Sequence, residues 1–222
     1  MNDYKLKPVK YFSNARHDLI RFIPKRNNQS ILEVGAGTCE TLVTLKKKQY
    51  ANFVVGVDLV AIANSNQSNP IVDDFIVGNI ESIELNYVEF FDVILLGDVL
   101  EHLVDPWVTV KKLSNYLKKG GIIISSIPNF LYYKNLKTVI FDADFKYQDD
   151  GILDRTHLRF FCKKNIIEIF ESNQFDITLL SSNFDLEKGK KYQLCRVFAF
   201  MHKYFVTQYH CVATLKGPLN ND

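Results

Sequence analysis

The chain has no excess of charge of either sign. Lys and Arg number 27 against 25 Asp and Glu, a net charge of +2, which is too balanced for a protein that lives on nucleic-acid phosphates. Cysteine is scarce: Cys39, Cys162, Cys195 and Cys211 lie far apart, with no C-x-x-C pair. That spacing excludes a disulfide framework or a cysteine metal knuckle and reads as reduced thiols in an intracellular protein. No apolar run approaches the ~18 residues that span a bilayer. The opening MNDYKLKPVKYF has no apolar core of a secretory signal, so a cytoplasmic location is expected. Internal repeats and low-complexity tracts are also lacking.

What remains is ordinary globular composition, 47% hydrophobic and 23% charged over 222 residues, the size of one α/β domain. Short β-rich apolar runs alternate with helical patterns, which predicts βα units and a largely parallel sheet. Strands are expected over 31–35, 53–58, 75–77, 91–97 and 122–127; the run at 93–96 is apolar on both faces, as a central parallel strand requires. Ser13 is placed to cap a first helix carrying Ala15, Leu19, Phe22 and Ile23, stopped by Pro24. A second helix runs through Leu42 and Leu45 into Lys46, Lys47 and Lys48, cations that suit its negative end. Asp105-Pro106 starts a third, expected to pass through Val110, Leu113 and Leu117 and to stop at Gly120-Gly121.

The alternation then breaks. Residues 129–150 are rich in aromatics with no clean period. A helix is expected over 163–172, strands over 175–181 and 207–215, and a helical stretch over 196–203 between them. A final strand pair joined without a full crossover admits an antiparallel arrangement. The late basic residues Lys188, Lys190, Lys191, Arg196 and Lys203 read as a solvated face rather than an anion site.

The segment ILEVGAGTCE, residues 31–40, carries the most information. A strand that enters a glycine-rich turn and then a helix brings backbone N–H groups and a positive dipole end to one spot. Asp58, 21 positions after Gly37, ends the second strand, where a carboxylate can accept both hydroxyl hydrogens of a ribose. A dinucleotide fold wants G-x-G-x-x-G, but counting from Gly35 the sixth residue is Glu40, whose charge repels a pyrophosphate. A ligand with an amino-acid end, an adenosine end and no phosphate tolerates Glu40. S-adenosylmethionine is such a ligand.

With these residues in place the chain resembles the class I S-adenosylmethionine-dependent methyltransferases. The resemblance covers roughly residues 11–175 and includes ILEVGAGTCE, VVGVDL, FIVGNIE, FDVILLGDVLEHLVDP, LKKGGIIISSIPN and GILDRTHLRFF. It implies a Rossmann-like α/β fold: a seven-stranded, mostly parallel sheet, helices on both faces and an antiparallel last strand. It implies S-adenosylmethionine as cofactor and S-adenosylhomocysteine as product. By motif, Glu33, Gly35, Ala36 and Gly37 lie under the methionine part, Asp58 and Leu59 at the ribose, Asn79 and Ile80 around the adenine. Asp98 faces the cofactor or the acceptor. Two positions depart from the family pattern: Cys39 replaces the third loop glycine, and Asn79 stands where an aspartate is usual. A single domain is expected, with an N-terminal helical segment (1–28), a cofactor-binding half (29–128), an acceptor lid (129–160) and a C-terminal part (161–222).

Methyl transfer from a sulfonium is an in-line displacement, so the protein mainly orients the reactants. A hydroxyl acceptor also needs a base. Among His17, His102, His157, His202 and His210, the first candidate is His157 and the second His102, with Asp98 beside it. The stretch 151–161 resembles a G-x-x-D-x-T-H-x-R-x-F signature of methyltransferases in sugar and polysaccharide biosynthesis. There Asp154 is expected to orient His157 or pair with Arg155, and Arg159 to hold an anionic acceptor. Tyr132 and Tyr133 are candidate acceptor contacts, and Trp107 reads as packing. Asp98, Glu101 and His102 have the residue types of a metal cluster, but no other segment supplies an obvious matching ligand, so no metal is expected. Methylases of exocyclic base amines carry N/D/S-P-P-Y/F after the fourth strand; this chain has Gly97-Asp98-Val99-Leu100, which disfavours a nucleic-acid acceptor. The expectation is O-methylation of a sugar or glycan precursor in surface polysaccharide biosynthesis, by a monomer or homodimer. The alternatives are a quinone-like or other small acceptor, and a non-catalytic cofactor-binding scaffold.

Overall fold

A computed structural model describes residues 14–183 and 199–217. Seven strands form one sheet: β1 Ser30–Val34, β2 Phe53–Asp58, β3 Asp74–Val77, β4 Phe91–Gly97, β5 Leu117–Pro128, β6 Phe175–Ser182 and β7 Gln208–Leu215. Their order is β3-β2-β1-β4-β5-β7-β6. The first five are parallel to their neighbours, while β7 is antiparallel to both β5 and β6. The order reverses between β1 and β4, which lie side by side with Val34 opposite Leu96. In open α/β sheets that reversal leaves a crevice beyond the carboxyl ends of the strands.

Alternate side chains of each strand feed opposite layers of the core. Leu32, Val34, Val55, Val57, Ile94 and Leu96 pack toward α3 (Pro106–Ser114) and α5 (Lys163–Glu171) through Val110, Leu113, Ile166 and Phe170. Ile31, Val54, Val93 and Leu95 pack toward α1 (His17–Ile20) and α2 (Glu40–Lys47) through Leu19, Leu42 and Leu45. Covered on both faces, the central strands carry apolar side chains toward both layers, which is why they were legible as runs rather than as alternations.

Three expectations change. The first helix is only one turn, capped from Arg16, and Ser13 lies outside the described residues. The third helix stops at Ser114, because Leu117 pairs with Phe91 as the first residue of β5. A register shift between Phe91 and Val93 then accommodates Lys118 to Gly121 before regular pairing resumes at Ile122. The aromatic stretch contains a helix, α4 (Tyr133–Phe141), none of whose residues is buried.

The stretch between β6 and β7 is described from Ala199, where a 3₁₀ turn runs to Tyr204. Cys195 and the basic residues Lys188, Lys190, Lys191 and Arg196 lie outside the described residues; Lys203 is exposed. Cys39, Cys162 and Cys211 are free thiols. No helix among the described residues is long and apolar enough to cross a membrane.

Phe170 on α5 is fully buried and meets Phe175 of β6 edge-on, with ring centroids 6.0 Å apart. Phe170→Ala is expected to lower the unfolding free energy by about 3–5 kcal/mol, read from the shift of the urea midpoint. A loss below about 1 kcal/mol would mean that α5 is not held by this contact.

Candidate functional site

A cavity of about 440 Å³ opens beyond the ends of β1, β2 and β4, at the reversal of strand order. Its floor is the β1–α2 turn. Gly35 (φ +73) and Gly37 (φ +51) take left-handed backbone that favours glycine, and a Cβ on Gly35 would lie 2.9 Å from Val99 Cγ2. The amides of Gly35 and Ala36 donate to the Val57 carbonyl oxygen at 2.8 and 3.1 Å. The Gly37 amide donates to Asp58 Oδ2 at 2.8 Å, while Val60 donates to Oδ1. The loop is thereby tied across the end of β2. Cys39, at the third-glycine position, is also left-handed (φ 63) and is fully buried. The family preference for glycine there thus has a backbone cause.

Every residue assigned to the cofactor by motif lies on this one cavity: Glu33, Gly35, Ala36 and Gly37 at one end, Asp58 and Leu59 along the side, Asn79 and Ile80 beyond them. Asp98 and His102 complete the opposite wall. Glu33 is 4% exposed, and its Oε2 has no hydrogen-bond partner. Burial pushes its carboxyl up to about 8, against the opposing pull of a Thr41 hydrogen bond and of the Arg16 charge. Burial likewise raises Asp58, against the amides of the loop that hydrogen-bond to it. The Asn79 side-chain oxygen accepts from the Glu81 amide at 2.9 Å, so it shapes its own turn as well as facing the cavity.

No local signal in the sequence marks Arg16, which lines the cavity. Its guanidinium donates to Asp18 (2.9 and 3.0 Å), to Asp98 Oδ2 (3.0 Å) and to Ser126 Oγ (2.7 Å). Asp98 and Ser126 are 82 and 110 positions away, so only the fold brings the group together. Asp98 Oδ1 in turn accepts from Ser126 Oγ and Gln208 Nε2.

The acceptor side is built differently. His102 ends the 3₁₀ turn Leu100–His102 that follows β4. The loop 151–161 is clamped onto that turn: the amides of Leu158 and Arg159 donate to the Glu101 carbonyl oxygen at 2.8 and 3.0 Å. The His102 and His157 rings meet edge-on, centroids 4.7 Å apart. His102 is on the cavity wall; His157, 7% exposed, is behind it. Burial and the neighbouring His157 lower the pKa of His102. Asp154 accepts from the Thr156 amide and hydroxyl, and Arg155 pairs with Asp149. Arg159 donates to the carbonyl oxygens of Leu158 and Val104 and so staples the loop. Tyr132 and Tyr133 meet edge-on, and Tyr133 packs at a tilt against Phe205; neither tyrosine lines the cavity.

One expectation about grouping is corrected. Asp98 is engaged with Arg16, Ser126 and Gln208, and it is His157 that joins Glu101 and His102, one potential donor atom from each lying within 4.8 Å of the others. His157 comes from the later segment in which no obvious ligand had been found.

This geometry agrees with the comparisons. The chain belongs to the methyltransferase-domain family, whose model matches residues 10–180. Among solved structures, a SAM-dependent methyltransferase of Methanosarcina mazei is similar with a TM-score of 0.66 at 15% identity, covering 91% of this chain and 99% of that one. One from Clostridium acetobutylicum gives 0.58 at 19%, covering 85% and 84%. The [4+2]-cyclase SpnF gives 0.62 at 13%, covering 94% and 81%. At such identities the likeness shows the fold alone. No curated protein sequence matches the chain. The chain thus carries a methyltransferase domain, and the cavity suits S-adenosylmethionine: an unpartnered buried carboxylate oxygen of Glu33 lies beside a bare glycine floor.

Glu33 makes stability depend on pH. Its carboxyl titrates near 4.5 in the unfolded chain and near 8 when folded. The stabilisation from protonated Glu33 is therefore complete below 4.5 and is lost as pH rises through 8. Between pH 5 and 8 the ligand-free wild type is expected to lose on the order of 2–4 kcal/mol relative to Glu33→Gln. Urea unfolding of both proteins at the two pH values checks this. A constant difference would show that Glu33 keeps its ordinary ionisation.

Proposed function

We propose that the protein O-methylates a hydroxyl of a sugar or glycan precursor, in the cytoplasm, as a step in surface polysaccharide biosynthesis. The observation that carries this reading is the clamp of the polar loop 151–161 on Glu101 and His102 at the edge of the cavity. The stretch that resembles the sugar-methylating signature is thus packed against the wall where an acceptor has to approach.

S-adenosylmethionine, when bound, supplies an electrophilic methyl group on a sulfonium. Glu33 takes the ammonium of its amino-acid end, Asp58 the ribose hydroxyls, and Asn79 with Ile80 the adenine, with Leu59 covering the ribose. Asp98, fixed by Arg16, Ser126 and Gln208, contributes a carboxylate in the same space. His102 has the position of a base: it is on the wall, and its lowered pKa leaves it neutral at pH 7. His157 is a positioning residue that orients the His102 ring. Asp154 and Arg159 hold the loop, while Tyr132, Tyr133 and Arg155 belong to the outer surface of the 129–160 lid.

A second reading has its own support. Helix α4 exposes Ile140 (66%) and Phe141 (79%), and an exposed apolar surface on the aromatic 129–150 stretch favours a flat, quinone-like acceptor if that stretch covers the site.

Methyl-labelled S-adenosylmethionine added to fractionated cell extract separates the two, with Asp58→Ala as control. Label in the nucleotide-sugar or glycan fraction supports the sugar reading; label in the apolar extract supports the quinone-like one. No transfer to any fraction would favour a non-catalytic scaffold. Asp58→Ala is expected to weaken S-adenosylmethionine binding about tenfold or more, about 1.4 kcal/mol, in a calorimetric titration. Unchanged affinity would remove Asp58 from the ribose.

A further inference from the structure

We propose that Glu101, His102 and His157 bind a divalent transition-metal ion of the zinc or cobalt type at the acceptor end of the cavity. The proposal stands on these three side chains and does not depend on the acceptor being a sugar.

The first support is convergence. One donor atom from each residue lies within 4.8 Å of the other two. An ion about 2.0–2.2 Å from each donor asks for donors roughly 3–4 Å apart, so binding draws the three groups closer by on the order of an ångström. The backbone holds the parts in place: the Glu101 carbonyl oxygen accepts two amides from the loop that carries His157.

The second is Glu101 itself. It is 1% exposed, and neither carboxylate oxygen has a hydrogen-bond partner. A buried carboxylate in that condition is costly unless a cation or proton joins it. Arg16, the nearest guanidinium to act on it, is committed to Asp18, Asp98 and Ser126.

The third is the orientation of the imidazoles. His102 Nδ1 faces the Thr156 carbonyl oxygen at 3.0 Å, and His157 Nδ1 faces the Ile152 carbonyl oxygen at 2.9 Å. A carbonyl only accepts, so each Nδ1 carries the hydrogen and each neutral ring keeps its lone pair on Nε2. Metal-binding histidines are fixed in the same way, with the second ring nitrogen donating to a carbonyl or carboxylate. Both rings therefore have the tautomer that a ligand needs.

The donor set selects the ion. Two imidazoles and one carboxylate suit zinc and its neighbours, whereas magnesium and calcium prefer oxygen alone. Three protein ligands leave a coordination position open. Because His102 is on the cavity wall, that position is within reach of an acceptor oxygen. In the metal-loaded protein the His102 lone pair belongs to the ion, which takes over from the ring the task of making an acceptor hydroxyl more acidic.

Cobalt(II) titration of the untagged full-length protein tests this by visible d–d absorption, independently of turnover. One cobalt per chain is expected, displaced by equimolar zinc. Glu101→Gln and His157→Asn are each expected to weaken cobalt binding about tenfold or more, with S-adenosylmethionine affinity retained as the sign of a folded protein. No cobalt bands with the wild type would overturn the proposal and leave a proton-shared cluster. Variants that bind cobalt as the wild type does would overturn it as well. If both variants lose S-adenosylmethionine binding, X-ray absorption of the zinc-loaded wild type decides. Two imidazoles and a carboxylate oxygen around zinc support the site, and a shell without two imidazoles refutes it.

Discussion

Strands β1 and β4 lie side by side, yet the chain leaves their carboxyl ends in opposite directions across the sheet. This constraint creates the cavity, because neither the β1–α2 turn nor the turn after β4 can fill the gap between them. What fills it must be a ligand. Much of what is polar in the site is hung from these two turns, Glu33 and the glycines from one, Asp98, Glu101 and His102 from the other, and Asp58, Asn79 and Arg16 are added from β2, from beyond β3 and from the segment before α1. The hydrophobic layers on both faces of the sheet keep the two strands in register and so keep the turns at a fixed separation.

A charged clip closes one end of that gap. Arg16, from the segment before α1, joins Asp98 after β4 and Ser126 on β5, and Asp98 reaches Gln208 on β7. Asp18 extends the clip to His210. Burial works against the Asp18 charge, yet His210 and Arg16 together hold its carboxyl well below the ordinary carboxylate range. Four separate parts of the chain are thereby tied by one polar network. The antiparallel β7 is what makes this possible, since it brings Gln208 to the same end of the sheet as the carboxyl ends of β4 and β5.

The fold was legible where burial is two-sided. The runs at 53–58 and 91–97 coincide with β2 and β4 because a parallel strand covered on both faces is apolar at most positions, with Asp58 at the end of one and Asp92 near the start of the other. Legibility failed where a partner distant in sequence decides. Leu117 fits the helical period of α3 but is claimed by Phe91. In the site, the glycine loop and Asp58 carry a local motif, so their places were readable. Arg16 carries none, and the meeting of His157 with Glu101 and His102 is set by a loop clamp that no spacing rule reports.

Cys39 has one more consequence. A glycine at the start of α2 would let the loop wander through conformations that a residue with a Cβ cannot visit, and each of these must be given up when a ligand is gripped. Cysteine accepts some local strain in the left-handed region and narrows that ensemble beforehand. The buried thiol wedges the loop into the core beside Leu42. The loop is thus preorganised, and the entropy of ordering it falls on the folding of the chain rather than on the capture of its cofactor.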